Sequence, residues 1–99
     1  MQKQTDDKNI DFLMKAVLEL KTEEECYNFF TDLCTVVELK TISQRLVVAK
    51  MLSENRVYRE IMDETKASTA TISRVNRSLS YGMNGYTAVF ERLKEKNEL

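Results

Sequence analysis

Residues 65–79 read Thr65-Lys66-Ala67-Ser68-Thr69-Ala70-Thr71-Ile72-Ser73-Arg74-Val75-Asn76-Arg77-Ser78-Leu79. This run follows a short amphipathic segment and predicts the turn and second helix of a helix-turn-helix. Ile72, Val75 and Leu79 recur at three- and four-residue spacing, which makes one face of the helix apolar, while small polar side chains crowd the other. A helix of this kind can bury its apolar face and lay the opposite face on the floor of a DNA major groove.

The length and composition indicate one all-α domain over residues 1–99. The chain has no proline and only two glycines, Gly82 and Gly85, and it is rich in residues that favour helices. A helical domain this small often completes its core by self-association. Self-association would supply what such a core lacks.

Several classes of protein are disfavoured by what the sequence lacks. No apolar stretch approaches the roughly 20 residues that span a bilayer, and the polar N-terminus lacks the apolar region of a signal peptide. There is no histidine, and Cys26 and Cys34 are too far apart on one predicted helix to pair with each other. We expect a cytoplasmic protein with reduced cysteines, no membrane partner, no metal and no cofactor.

The net charge of −1 hides an uneven distribution. Residues 1–55 hold seven Lys or Arg against ten Asp or Glu, and residues 56–99 hold eight against six. No acidic residue lies between Glu64 and Glu91, a window that contains Lys66, Arg74 and Arg77. A segment without acidic side chains can lie against a phosphate surface without charge repulsion.

The apolar periodicity predicts six helices. Asp6 or Asp7 starts the first, and the runs Thr22–Glu25 and Thr35–Glu38 are capping boxes that start the second and third. We expect Leu39, Ile42, Leu46, Ala49, Met51 and Leu52 to line the third helix.

The fourth helix is expected over Val57–Glu64 with Asn55 as its cap, and the fifth begins under a Ser68 cap. Residues 81–85 are the clearest loop signal, and the last helix is expected to fray through residues 94–99. The predicted plan is dimerisation helices over about 7–54, the helix-turn-helix over about 57–79 and a C-terminal helix over about 85–95.

The helix-turn-helix register can be set by counting Tyr58 as its first position. The apolar positions four, ten, fifteen and eighteen of the general motif then carry Ile61, Ala67, Ile72 and Val75. Two positions depart from the motif. Met62 stands where a small residue is usual, and Lys66 stands where glycine usually adopts a left-handed conformation.

This register predicts which side chains face DNA. Thr69, Ala70 and Ser73 on the fifth helix and Arg59 on the fourth are expected to face bases. Cations around them, Arg56, Lys66 and Arg77, are expected to face phosphates.

The segment resembles the helix-turn-helix of the Trp repressor family, through Arg59-Glu60-Ile61, Ala70-Thr71-Ile72-Ser73-Arg74 and Ser78-Leu79. Residues 67–79, Leu33-Cys34-Thr35 and Gln44-Arg45 are more closely similar to the YerC/YecD branch of Trp-repressor-related proteins. The resemblance runs from about Phe30 to Leu93. It implies an intertwined all-α homodimer and a cytoplasmic bacterial regulator of transcription.

The resemblance also implies where a corepressor would lie. In the Trp repressor two arginines flank the bound tryptophan, and they fall on Arg45 and Arg74 here. A glycine follows the second arginine in that repressor, whereas this chain has Val75. The valine side chain would fill the space that the ligand needs, so we expect a vestigial pocket that does not bind tryptophan. The sequence names no other small-molecule effector.

We therefore predict a repressor that reads a palindromic site on double-stranded DNA, with half-sites about one helical turn apart. An enzyme is not expected, because no histidine is present and no nucleophile has an evident activator. The alternative is a helical dimer that binds a protein partner through the Phe29/Phe30 face and does not bind DNA.

Overall fold

The computed structural model describes residues 7–99, which form six α-helices and no strand. The helices are α1 (Lys8–Val17), α2 (Glu23–Leu33), α3 (Val36–Ser53), α4 (Tyr58–Thr65), α5 (Thr69–Tyr81) and α6 (Gly85–Glu95). The predicted all-α class with six helices is confirmed. The described residues divide into two compact units, 7–39 and 40–99.

The helix starts in the first unit follow the predicted caps. The Asp7 carboxylate accepts hydrogen bonds from the backbone N–H groups of Asn9 and Ile10, at 2.8 and 3.3 Å, and so caps α1. The alternative cap, Asp6, lies outside the described residues. Thr35 and Glu38 form a complete capping box at the start of α3, with each side chain accepting from the other residue's N–H at 3.1 and 2.8 Å.

The capping box of α2 differs by one residue from the expected pattern. The Thr22 hydroxyl accepts from the Glu25 N–H at 3.0 Å as predicted, but the Glu25 carboxylate accepts from the N–H of Lys21, at 2.9 Å. The carboxylate thus reaches one residue beyond the cap. Two backbone donors are still satisfied, so the device serves the same purpose.

Asn55 does not cap α4, and that prediction was wrong. Its φ of 61° places it in the left-handed region at the end of α3. The Arg56 N–H donates to Met51 O and the Asn55 N–H donates to Leu52 O, which is the hydrogen-bond pattern of a Schellman motif. Asparagine tolerates the left-handed conformation well, so Asn55 ends α3, and α4 begins after Val57 without a side-chain cap.

The same motif closes α6, where fraying was expected. Asn97 has a φ of 57°, its N–H donates to Lys94 O, and the Glu98 N–H donates to Leu93 O. These bonds satisfy carbonyl groups that a frayed end would leave to water.

The core of residues 40–99 consists of eight buried apolar side chains from α3, α4, α5, α6 and the α4–α5 turn: Val48, Ala49, Met51, Ile61, Ala67, Ile72, Val75 and Phe90. The prediction for α3 is only partly met. Ala49 and Met51 are buried and Leu52 packs against the core, but Ile42 and Leu46 are exposed.

Residues 7–39 contain no buried side chain. Large apolar side chains of this unit lie open to solvent, with Phe12 74%, Leu18 80% and Tyr27 73% exposed. No helix among the described residues is both long and apolar enough to cross a membrane. The first unit therefore carries amphipathic helices whose apolar faces are uncovered in a single copy of the chain.

Candidate nucleic-acid interface

The turn between α4 and α5 is built around a left-handed lysine. Lys66 has φ 63° and ψ 14°, and its N–H donates to Met62 O at 2.9 Å. The Thr65 hydroxyl donates to Ile61 O at 2.7 Å and accepts from the Ala67 N–H at 3.1 Å. These local bonds satisfy the end of α4 and turn the chain sharply toward α5.

The next helix starts where the sequence predicts. Ser68 is the N-cap of α5, and its hydroxyl accepts from the Thr71 N–H at 3.1 Å. The first turn of α5 contains no acidic residue, so the positive end of the helix dipole is not neutralised by a side chain there.

Four apolar side chains hold the two helices together at the positions that the motif requires. Ile61 and Ile72 are fully buried, Val75 is 2% exposed and Ala67 is 4% exposed. Met62, where a small residue is usual, keeps 37% of its surface in solvent. The unusual methionine is thus accommodated at the surface, without displacing the buried contacts.

The opposite face of α5 is open. Thr69, Ala70, Ser73 and Arg77 are all exposed, and Arg59 is exposed on α4. Asn76, which the sequence analysis did not single out, lies three residues after Ser73 and is also exposed. Its position could have been read from the helical spacing, and a side-chain amide can pair with adenine in the major groove.

The cations of this region fall into two groups. Arg59, Lys66, Arg74 and Arg77 are exposed and make no ion pair with any described residue. Arg56 behaves differently, because its guanidinium pairs with Glu64 at 2.6 Å and with Glu60 at 3.3 Å. The hydrogen bond to Glu64 raises the pKa of Arg56 above its ordinary value, with smaller contributions from the charges of Glu64 and Glu60.

The residues of the suspected ligand pocket have different environments. Arg45 on α3 and Arg74 on α5 are exposed, whereas Val75 is buried and belongs to the core cluster. The valine methyl groups therefore already pack against protein side chains.

A contact that the sequence did not indicate joins α3 to the turn. The Gln44 side-chain amide donates to Thr65 O at 3.0 Å, in a partly buried position. The two residues are 21 apart in sequence, so no local pattern could reveal the bond. Among residues 7–99, no group of three or more His, Cys, Asp or Glu is arranged to hold a metal ion, and both cysteines are free.

A family model for the Trp repressor protein matches residues 8–94. The uncharacterized protein YerC of Bacillus subtilis (strain 168) is 52% identical over 88 residues, which are 89% of this chain and 85% of YerC.

Two solved structures have similar folds. The crystal structure of a TrpR like protein from Eubacterium eligens ATCC 27750 matches with a TM-score of 0.85 at 54% identity, over 90% of this chain and 92% of that chain. A Trp repressor candidate from Staphylococcus aureus matches with a TM-score of 0.84 at 50% identity, over 89% of this chain and 88% of that chain.

Proposed function

The chain belongs to the Trp repressor family, and on this premise we propose that it is a dimeric repressor of transcription that reads a specific DNA sequence. The family is regulatory and non-enzymatic, and the fold points to DNA binding. The observation that carries the proposal is the helix-turn-helix itself. Its four apolar motif positions are buried. The opposite face of α5 is exposed, carries mostly small side chains and contains no acidic residue.

In this proposal Arg59, Thr69, Ala70 and Ser73 face the base edges. An arginine can form a bidentate pair with guanine, and the methyl groups of threonine and alanine can contact thymine. Lys66 and Arg77 bind phosphates, which fixes the register of the protein on the duplex without reading sequence. Arg56 joins them only when a phosphate replaces its present carboxylate partners.

The exposed apolar faces support a homodimer. Phe12 on α1 is 74% exposed and Val37 near the start of α3 is 73% exposed. Because soluble proteins rarely leave such surfaces in water, we propose that a second copy of the chain covers them. A two-fold dimer places two reading helices on one side, and its operator is then roughly palindromic with half-sites about one helical turn apart.

The repressor is proposed to act without tryptophan. Val75 occupies core space beside Arg74, and opening that space costs packing energy that a ligand would have to repay. Arg45 and Arg74 then serve as exposed cations.

The test is to mix the purified protein with sheared genomic DNA and to sequence what it retains, with and without tryptophan. Enrichment of one palindrome in both arms is the expected result. Enrichment only with tryptophan would keep the DNA role and contradict the occluded pocket. No enrichment at low salt in either arm would favour the protein-interaction module.

Single substitutions test individual contacts with the enriched DNA sequence, and one of them is a matched control. Arg59→Ala is expected to cost about 1–3 kcal/mol of binding and to relax specificity at one position. Arg77→Ala should weaken binding to all sequences and reduce the salt slope by about one. Arg92→Ala removes an exposed cation from α6, outside the motif, and should change neither.

A further inference from the structure

The turn of the helix-turn-helix is attached to α3 by one side-chain amide. Gln44 Nε2 donates to Thr65 O at 3.0 Å. Thr65 is the last residue of α4, and its carbonyl belongs to the group that a helix end leaves without an intrahelical partner. The bond from Gln44 therefore supplies a partner for this carbonyl and joins α3 directly to the start of the turn.

The other hydrogen bonds at the turn are local. Those of the Thr65 hydroxyl and the Lys66 N–H run to residues of α4 or to Ala67. They determine the shape of the turn, but they do not determine where the turn lies relative to α3. That relation depends on the apolar contacts of the core and on the Gln44 bond.

The conformation of Lys66 makes a hydrogen bond from outside the turn important for holding the turn in place. A residue with a Cβ in the left-handed region is strained, and it persists there only where its surroundings constrain it. The Gln44 bond constrains the residue immediately before Lys66. The hydrophobic effect is non-directional, whereas a hydrogen bond has a preferred distance and direction.

We propose that Gln44 is a positioning residue that sets the angle at which α4 and α5 present their open face. This inference rests on the proposed function and deepens it. The position of the reading face is determined by a side chain of the protein's own core helix, so the face is ready for DNA without a small-molecule effector.

The first experiment measures the turn without DNA. Gln44→Met keeps the length of the side chain and removes the donor, and Gln44→Glu places an acceptor against the Thr65 carbonyl. Lys40→Met is the control, since it makes the same kind of change at an exposed position of α3. The readout is amide hydrogen exchange of Ala67, at the turn, relative to that of Ile72, in the core.

We expect Ala67 to exchange about tenfold faster relative to Ile72 in Gln44→Met, and faster still in Gln44→Glu, because the turn opens locally. Lys40→Met should exchange like the unmodified protein. A substitution that merely lowered global stability would accelerate both amides together. Unchanged relative exchange in Gln44→Met would overturn the proposal.

The second experiment measures affinity for the DNA that the unmodified protein enriches. Gln44→Met should bind about tenfold more weakly with an unchanged salt slope, because no phosphate contact is lost. Faster exchange with unchanged affinity would overturn the positioning role. If the unmodified protein retains no DNA, the proposed function fails, and the exchange measurement alone decides whether Gln44 holds the turn.

Discussion

Arg56 Nη2 lies 2.6 Å from Glu64 Oε1, so a guanidinium two residues before α4 holds a carboxylate near the end of that helix. Glu60, between them, pairs with Arg56 Nε at 3.3 Å. All three side chains remain partly exposed, and ion pairs in such places contribute little to stability. The two carboxylates nevertheless compete with any phosphate for the same arginine.

This competition predicts that Glu64→Gln strengthens DNA binding by a few-fold at low salt, because it removes one negative charge and one of the two carboxylates that pair with Arg56. Fluorescence anisotropy on the enriched DNA measures the effect, and a salt series should show that it shrinks as ionic strength rises. Glu91→Gln removes a charge from α6 and is the control. Weaker binding by Glu64→Gln would mean that the carboxylate supports the interface.

The strained conformation of Lys66 and its proposed phosphate contact lead to opposite expectations for protein stability and for DNA binding. Of the four described residues with positive φ, three are asparagines and only Lys66 has a long side chain. Lys66→Gly should remove about 1–2 kcal/mol of strain and lose somewhat less to the greater freedom of the unfolded chain, giving a net gain near 1 kcal/mol. Denaturant unfolding at fixed protein concentration measures this gain.

The same variant should bind DNA more weakly, because it lacks the proposed phosphate contact. Lys40→Gly, inside α3, is the control and should lose about 1 kcal/mol of stability. A Lys66→Gly protein that was both less stable and equally good at binding DNA would contradict the role given to this residue.

Because Val75 fills the suspected ligand pocket, we expect the protein not to bind tryptophan. The chain contains no tryptophan, so the emission of added tryptophan reports the ligand alone. Its anisotropy should stay at the free value with excess protein, and calorimetry at millimolar tryptophan should show no saturable heat. Val75→Gly should lower the free energy of unfolding by about 3 kcal/mol, since it removes buried carbons and places glycine inside a helix. Saturable binding by the unmodified chain would show that the pocket is open.

From the pKa of Glu38 we expect the protein to lose stability in acid. Hydrogen bonds from Thr35, chiefly from its backbone N–H, lower the pKa of Glu38 below its ordinary value of 4.5. A carboxylate whose pKa is lower in the folded state than in the unfolded state stabilises the fold. The full contribution is present at a pH above the pKa of the unfolded state, and it disappears as the pH falls through the pKa of the folded state. Denaturant unfolding between pH 7 and pH 3 should therefore show a smaller loss in Glu38→Gln than in the unmodified protein. Equal losses would mean that ionisation of Glu38 does not contribute to the acid dependence, since glutamine can still complete the capping box.

Phe12 tests the proposed dimer. Replacing this exposed α1 side chain by glutamate should shift the sedimentation mass from dimer toward monomer at micromolar concentration, because it places a charge in the proposed interface. Lys21→Glu changes the charge at an exposed polar position and should leave the mass unchanged. A Phe12→Glu protein that sediments as a full dimer would exclude α1 from the interface.

The sequence was sufficient where a local rule decides the outcome. Short-range hydrogen bonds formed by Thr35, Glu38 and Ser68 gave the helix starts, and the motif spacing identified Ile61 and Ile72 as core. The left-handed conformation with which Asn55 and Asn97 close α3 and α6 was not predicted, because Asn55 was assigned as the cap of α4 and residues 94–99 as a frayed end.

Other features could not be read locally. Apolar side chains lie all round α3, so periodicity could not show that Val48 is buried while Ile42 and Leu46 are exposed. The bond from Gln44 to Thr65 depends on tertiary packing, and the ion pair of Arg56 with Glu64 depends on the rotamers of two long side chains. Both lie beside the candidate interface, where the residue types could be read from the sequence but their partners could not.

The lack of a buried side chain in residues 7–39 has a consequence for how the proposed regulator is controlled. If this unit gains a core only when two chains meet, the amount of folded dimer rises with the square of the chain concentration while dimers are scarce. Refolding should then become faster on concentrating the protein. Occupancy of the operator would follow synthesis and degradation of the protein steeply, as a threshold in its own abundance.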